Sequence, residues 1–210
     1  MGKKTDIREQ LIESAIELMS SRSYASVGLQ ELCNSIDVTK GGFYHHFKSK
    51  RELTLAAIDS IWQFYQNDFL EPVFKTDAST YEKFNRIVGV FYEHYFSEKE
   101  KSGHMNGCRL GNLAVELSTQ DEEIREKLET IFQQWVSYFE RVLKEGVYSG
   151  ELPENTDTET SARSILAFLE GLALMGKTFN DPGFMNSLQR AVLNLIMDEN
   201  QQKIKVEGDV

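Results

Sequence analysis

The chain has 210 residues, a formal charge of −10 and only three prolines (Pro72, Pro153 and Pro182), so it is long enough for one sizeable core or two small ones. Apolar residues recur at three-four spacing almost throughout, with no useful alternating run, which makes all-α the expected class; charges such as Glu116 and Glu170 interrupt the longest apolar stretches and exclude a bilayer span. Met1–Asp6 lacks the hydrophobic region of a signal peptide, and the two cysteines, Cys33 and Cys108, suggest no disulfide framework, so no membrane partner and a reducing cytoplasm are expected.

Ile7, Leu11, Ala15, Leu18 and Met19 form one apolar stripe and predict a first helix near residues 5–21, preceded by a short basic arm, Lys3 and Lys4. Leu29, Leu32, Cys33 and Ile36 give a second, short helix one apolar side. Asp37 follows at a corner, where a left-handed backbone is often needed and Asp tolerates it. Val38 plugs the angle, and Thr39 caps a third helix through its hydroxyl. Lys40, Tyr44 and His45 project from that helix, while Phe43 and Phe47 anchor it in a small core that includes Cys33. This is how a helix-turn-helix presents one helix to the major groove. Residues 1–50 carry a balance of +1, leaving −11 on residues 51–210, so the acid lies away from the reading head. An acidic body repels phosphate at long range and discourages non-specific residence on DNA.

Ser49-Lys-Arg-Glu52 reads as a capping box that opens a long helix bearing Leu53, Ala57, Ile61, Trp62, Tyr65 and Phe69, with Pro72 marking its end. That helix links the head to the body. A fifth helix is predicted over Tyr81–Phe96, followed by a polar loop, Ser97–Gly107, and a shorter helix over Cys108–Ser118. Thr119-x-x-Glu122 is expected to cap a helix running to about Val147, and Thr156-x-x-Glu159 the next. A last helix follows Asp181-Pro182, and residues beyond Asp198 read as a frayed tail. The total is about nine helices.

Besides the reading head, three constellations carry chemistry. Trp62, Tyr65, Phe69, Phe91, Tyr92, Tyr95, Phe132, Trp135 and Phe139 form an aromatic interior; such stripes serve as core more often than as pocket. With Asn112, Tyr92 and Tyr95 as polar markers, a subset would suit a small apolar or aromatic ligand: Trp62, Tyr65, Phe91, Tyr92, Tyr95, Cys108, Asn112, Trp135 and Phe139. Ile165, Leu166, Leu169 and Leu172, with Leu188, Val192 and Leu195 on the last helix, form stripes that fit either internal core or a dimer surface. Gly171 and Gly176 would allow close approach there. Asn106-Gly107 makes a corner that places Cys108 at a helix N-terminus, where exposed N–H groups and Arg109 favour a thiolate; the other reading is a small cysteine packed in the core. His104 and Cys108, with His94 as the nearest third candidate, are too few for a metal site, and no cofactor is expected.

Val38-Thr-Lys-Gly-Gly-Phe-Tyr-His-His-Phe-Lys-Ser-Lys50, with Arg51-Glu-Leu53 after it, resembles the recognition-helix signature of the TetR/AcrR family of one-component bacterial repressors. Asp37 in place of a corner Gly, Cys33 in place of Ala and Gly28 in place of a Ser or Thr cap depart from it. Gly107-Cys-x-x-Gly-Asn-Leu-x-x-Glu116 resembles a signature of a subgroup in which some members respond to electrophiles or oxidants through cysteine. The resemblance implies a three-helix DNA-binding head over 1–50 and a ligand-binding and dimerisation domain over 51–198, with 199–210 as tail. It also implies that Thr39, Lys40, Tyr44 and Lys50 contact phosphates or bases, with His45 and Gln30 facing the groove and Gly41 and Gly42 allowing close approach. The expected function is a homodimeric repressor on a pseudo-palindromic double-stranded DNA operator, released by a small-molecule inducer; the alternative is release through Cys108. A cysteine enzyme, with His104 or His94 as base, and a DNA-binding module without ligand response are the rivals from other classes.

Overall fold

A computed structural model describes residues 6–196; the predicted basic arm at Lys3 and Lys4 and the predicted tail 199–210 lie outside them. In chain order the helices are α1 (Ile7–Ser21), α2 (Leu29–Ser35), α3 (Lys40–His46), α4 (Lys50–Phe64), α5 (Glu71–Phe74), α6 (Thr80–Ser102), α7 (Arg109–Leu117), α8 (Glu122–Tyr148), α9 (Thr158–Phe179) and α10 (Gly183–Ser187). A π-helical segment, Tyr65–Leu70, joins α4 to α5, and a 3-10 segment, Gln189–Leu195, follows α10. No strand occurs among the described residues, which makes the fold all-α.

Two compact units emerge, and neither is continuous in sequence: one runs to Tyr65 and resumes over Cys108–Ile131, the other takes Gln66–Gly107 and Phe132 onward. The predicted boundary at residue 50 falls inside the first. The reason is the core: Leu53 and Ala57 of α4 belong to the same apolar cluster as Leu11, Leu32, Phe43 and Phe47. A head of fifty residues buries too little apolar surface alone, and the start of α4 completes it. α7 packs on both α1 and α4.

Within the first unit the corner after α2 forms as its sequence predicts. Asp37 sits at φ 54°, and the Val38 N–H reaches back to the Cys33 carbonyl at 2.9 Å. The Thr39 hydroxyl accepts the Gly42 N–H at 3.1 Å. Ser49 accepts the Glu52 N–H at 3.1 Å, and Glu52 reaches back to the Lys48 N–H at 2.7 Å, closing the box that opens α4. Two other predicted caps differ. α8 starts with the Asp121 carboxylate on the Ile124 N–H, 3.2 Å, in place of Thr119, and Asp157 caps α9 through the Thr160 N–H, 3.0 Å, in place of Thr156. In both places a carboxylate also complements the positive end of the helix dipole, which a hydroxyl does only weakly.

The second unit is built on stacked aromatic rings. Phe91 meets Phe69 edge-on at 5.0 Å and stacks on Trp135 at 5.9 Å, and Phe139 packs against Phe74 and Phe84 at 5.8 and 5.6 Å. Pro72 does not end the helical path: the chain stays helical to Phe74, because the wide π turn before Pro72 relieves the clash between its ring and the preceding turn. α6 runs to Ser102, beyond the predicted Phe96. Glu98, Lys99, Glu100 and Lys101 are good helix formers, and Gly103, at φ 79°, is the first residue able to turn the chain out. The predicted last helix is broken into α10 and the 3-10 segment, closed by short-span bonds such as Ala191 N–H to the Leu188 carbonyl at 2.9 Å.

Gly146 in α8 abuts Thr80 and Leu152; a Cβ there would collide with the Thr80 hydroxyl and lie 3.2 Å from Leu152. Gly146→Ala is therefore expected to lower stability by about 1–3 kcal/mol despite its better helix propensity, read as a reduced urea midpoint. An unchanged midpoint would show that the Thr80 side chain yields freely.

Candidate functional site

α3 carries the first candidate surface. Phe43 and Phe47 are fully buried, which fixes the helix on the α1–α2 core and turns its other face outward. On that face Thr39, Lys40 and His45 are exposed, and Tyr44 is 55% exposed with its ring edge-on to Phe43 at 5.4 Å. Gln30 is exposed on α2 and donates to the Asn34 side chain at 2.8 Å. Gly42 has an internal reason to be glycine: a Cβ would lie 2.5 Å from the Val38 side chain that fills the corner. Gly41 has room for one.

Lys50 is placed differently. Its ammonium donates to the Tyr24 carbonyl and lies 3.8 Å from the centroid of the Tyr24 ring, so it is half-buried and committed to its own chain. Burial pushes that ammonium below the ordinary lysine value, with Glu116 pulling it back up. Burial, then Asp121, push the Tyr24 phenol up.

Sequence reasoning missed what surrounds this pair. The Glu116 carboxylate on α7 accepts the Tyr24 N–H at 2.8 Å and the Ala25 N–H at 2.9 Å, gripping the turn between α1 and α2. Beside it Arg51 pairs with Asp121 at 2.6 Å, joining the first turn of α4 to the start of α8. Burial works to raise the Asp121 carboxyl, but the Ile124 N–H and Arg51 outweigh it and hold it below its ordinary value.

The nine predicted ligand residues divide between the units. Trp62, Tyr65, Cys108 and Asn112 belong to the first; Phe91, Tyr92, Tyr95, Trp135 and Phe139 belong to the second. Four of the latter form the aromatic stack, whereas Tyr92 is half-buried beside the exposed Phe96, 5.9 Å between centroids. Cys108 is 5% exposed and is itself the N-cap of α7, its Sγ accepting the Gly111 N–H at 3.3 Å. The next N–H, that of Arg109, points to the Tyr65 hydroxyl at 3.4 Å. Cys33 is fully buried in the head. A shallow groove of about 380 Å³ along α8, lined by Ser137, Glu140, Arg141, Lys144, Glu145 and Tyr148, includes none of the nine.

Of the seven predicted interface residues, Ile165, Leu166, Leu169, Leu172 and Val192 are buried within their own chain. Leu195 is half-buried and Leu188 exposed. The apolar stripe on α9 that the sequence singled out is spent on the core. The opposite face of the same helix exposes Ala167, Gly171, Leu174, Met175 and Phe179, with Leu174 60% and Phe179 56% exposed. A helix apolar on both sides reads in sequence as one broad stripe, so the outer face was not separable from the inner.

Comparison with known proteins accords with this geometry. Residues 11–57 match the family model for bacterial regulatory proteins of the tetR family, and residues 86–192 match that for the tetracyclin repressor-like C-terminal domain. The HTH-type transcriptional repressor DhaR of Mycobacterium sp. (strain GP1) is 27% identical, over 83% of this chain and 84% of its own length. The repressor NemR of Escherichia coli K12 is 26% identical, over 70% of this chain and 72% of its own. The crystal structure of the reduced form of E. coli NemR shares the fold at a TM-score of 0.74 and 22% identity, covering 91% of this chain and 98% of that one. From the helix-turn-helix head through the C-terminal helices, the chain belongs to the TetR family of bacterial transcriptional regulators.

Proposed function

We propose that the protein is a homodimeric repressor that inserts α3 into successive major grooves of a pseudo-palindromic operator and leaves it when an inducer binds. The observation that carries this reading is α3 itself, with Phe43 and Phe47 buried beneath a face that exposes Lys40, Tyr44 and His45. Short polar and cationic side chains on a rigidly backed helix are what phosphate and base-edge contact requires. Thr39 and Gln30 flank that face, Gly42 keeps it close to the corner, and Lys50 acts by holding the neighbouring turn. The second copy docks on the outer face of α9, where exposed Leu174, Met175 and Phe179 form an apolar patch of the kind monomers avoid. Two relatives named as repressors favour negative control. The protein acts in the cytoplasm without a catalytic role; no helix among the described residues is long and apolar enough to cross a membrane.

The proposed inducer is apolar or aromatic; Phe91, Trp135 and Phe139 are buried in their own stack, so it would bind against them only by opening that core. To release DNA it must favour the non-binding arrangement, and a differential of about 3 kcal/mol weakens operator affinity about a hundredfold. Gel shifts against a random-sequence competitor test the reading: a selected duplex survives competition, and equal loss of both duplexes would refute it.

Cys108 favours a second reading, in which thiol modification is the inducing event. Its sulfur forms the N-cap bond of α7, so alkylation to a thioether weakens and crowds that acceptor and pushes bulk into a buried position. N-ethylmaleimide is expected to release operator from the wild type and leave Cys108→Ser bound. Equal release from both would assign Cys108 to packing alone.

A further inference from the structure

We infer that Glu116 is a positioning residue that latches the DNA-reading head to α7 and so sets the orientation in which α3 is presented. The inference rests on the paired-head reading above and adds the device that orients each head.

The geometry is specific. Both carboxylate oxygens are used, one on each of two consecutive backbone amides, Tyr24 at 2.8 Å and Ala25 at 2.9 Å. Charge-assisted bonds of this type are stronger and more directional than neutral ones. Those amides lie in the connection between α1 and α2, so the grip acts on the backbone of that turn and uses none of its side chains. The same peptide segment is held from the other side, because Lys50 at the start of α4 donates to the Tyr24 carbonyl and covers its ring. Val27, two residues further on, is fully buried in the head core, and Gly28 then starts α2 without a side-chain cap. The entry angle of α2 thus depends on the held turn, and α3 follows α2 through the fixed corner at Asp37.

Glu116 is the penultimate residue of α7, and Cys108 caps the other end of that nine-residue helix. A helix this short moves as a rod, so a shift or rotation at its N-terminus is delivered to the carboxylate. The loop preceding Cys108 is itself fastened: the Asn180 side chain accepts the Met105 N–H at 2.9 Å and donates to the Gly103 carbonyl at 3.1 Å. Asn180 ends α9, so both bonds hold this loop to the end of that helix within the second unit. Arg51–Asp121 supplies a parallel tie at 2.6 Å that does not depend on Glu116.

The test measures spacing tolerance, which loss of stability alone does not alter. Full-length wild type, Glu116→Ala and Glu116→Gln are titrated with a selected operator, the same operator with its half-sites moved by one or two base pairs, and a single half-site. Wild type is expected to prefer the native spacing by about tenfold or more, since avidity is lost when both heads cannot engage together. In Glu116→Ala that preference falls to within about threefold while half-site affinity stays within about twofold, and Glu116→Gln, which retains one acceptor, lies between. Amide exchange at Tyr24 and Ala25 rises in step. A Glu116→Ala protein that keeps the wild-type spacing profile, or that loses all duplexes and the half-site in equal proportion, overturns the latch. A wild type with no spacing preference overturns the paired-head reading instead, and the latch with it.

Discussion

Replacing Leu174 and Phe179 together with Asp is expected to yield a folded monomer whose operator affinity is about a hundredfold or more below that of the wild type. Both side chains are more than half exposed on the outer face of α9; Phe179 also meets Phe184 of its own chain at 5.4 Å between ring centroids. Their removal should leave the melting transition nearly unchanged when measured at equal oligomeric state. Two charges buried without partners at a two-fold interface oppose each other's copies as well, because the same patch meets itself. Each head alone makes too few base contacts to hold a site, so loss of the pair removes the avidity term. Gly171 offers a gentler probe. A Cβ there meets nothing within 4 Å in one chain, so Gly171→Leu starts from open space and is expected to obstruct a second helix more than its own fold. Leu169→Ala is the contrasting control. That residue is buried internally, and its truncation is expected to cost about 2–5 kcal/mol of stability. Sedimentation velocity with urea denaturation separates the outcomes; a dimer that survives both Asp substitutions would move the interface off α9.

Tyr44→Ala and Lys40→Ala should each weaken operator binding by about 1–3 kcal/mol, or roughly five- to a hundred-fold, with the dimer intact. The two should differ in kind. Lys40 lies in the first turn of α3, exposed, where an ammonium reaches phosphate; its loss should weaken all duplexes alike and reduce the salt dependence by about one ion. Tyr44 presents its ring and hydroxyl from the middle of the exposed face, so its loss should relax discrimination between operator and altered half-sites. Tyr44→Phe distinguishes a hydroxyl contact from ring packing. Because Tyr44 is 55% exposed and meets the core ring of Phe43 edge-to-face, truncation should not unfold the head. Unchanged affinity in both variants would remove α3 from the interface.

Much of this was legible in the sequence because the signals are local. The corner at Asp37, the Thr39 cap and the Ser49–Glu52 box all declare themselves within four residues, and each forms. Burial of Phe43 and Phe47 follows from helical spacing. What was not legible depends on distant segments. Glu116 meets the Tyr24 amide across 92 positions, and no periodicity in either segment announces it. Lys50 looks like a free cation until Tyr24 is placed beneath it. The two faces of α9 merged into one apolar stripe because Leu166 and Leu169 face inward and Leu174 and Met175 outward on the same helix. Pro72 was overread as a terminator, since a π turn that absorbs a proline leaves no mark in spacing.

Selection of bound fragments from a random duplex pool by the purified protein tests the central claim most directly. Two α3 helices acting as a pair predict an enriched inverted repeat whose half-sites lie about one helical turn, or a multiple of it, apart. Enrichment of an asymmetric single site, or of no sequence at all, would contradict it.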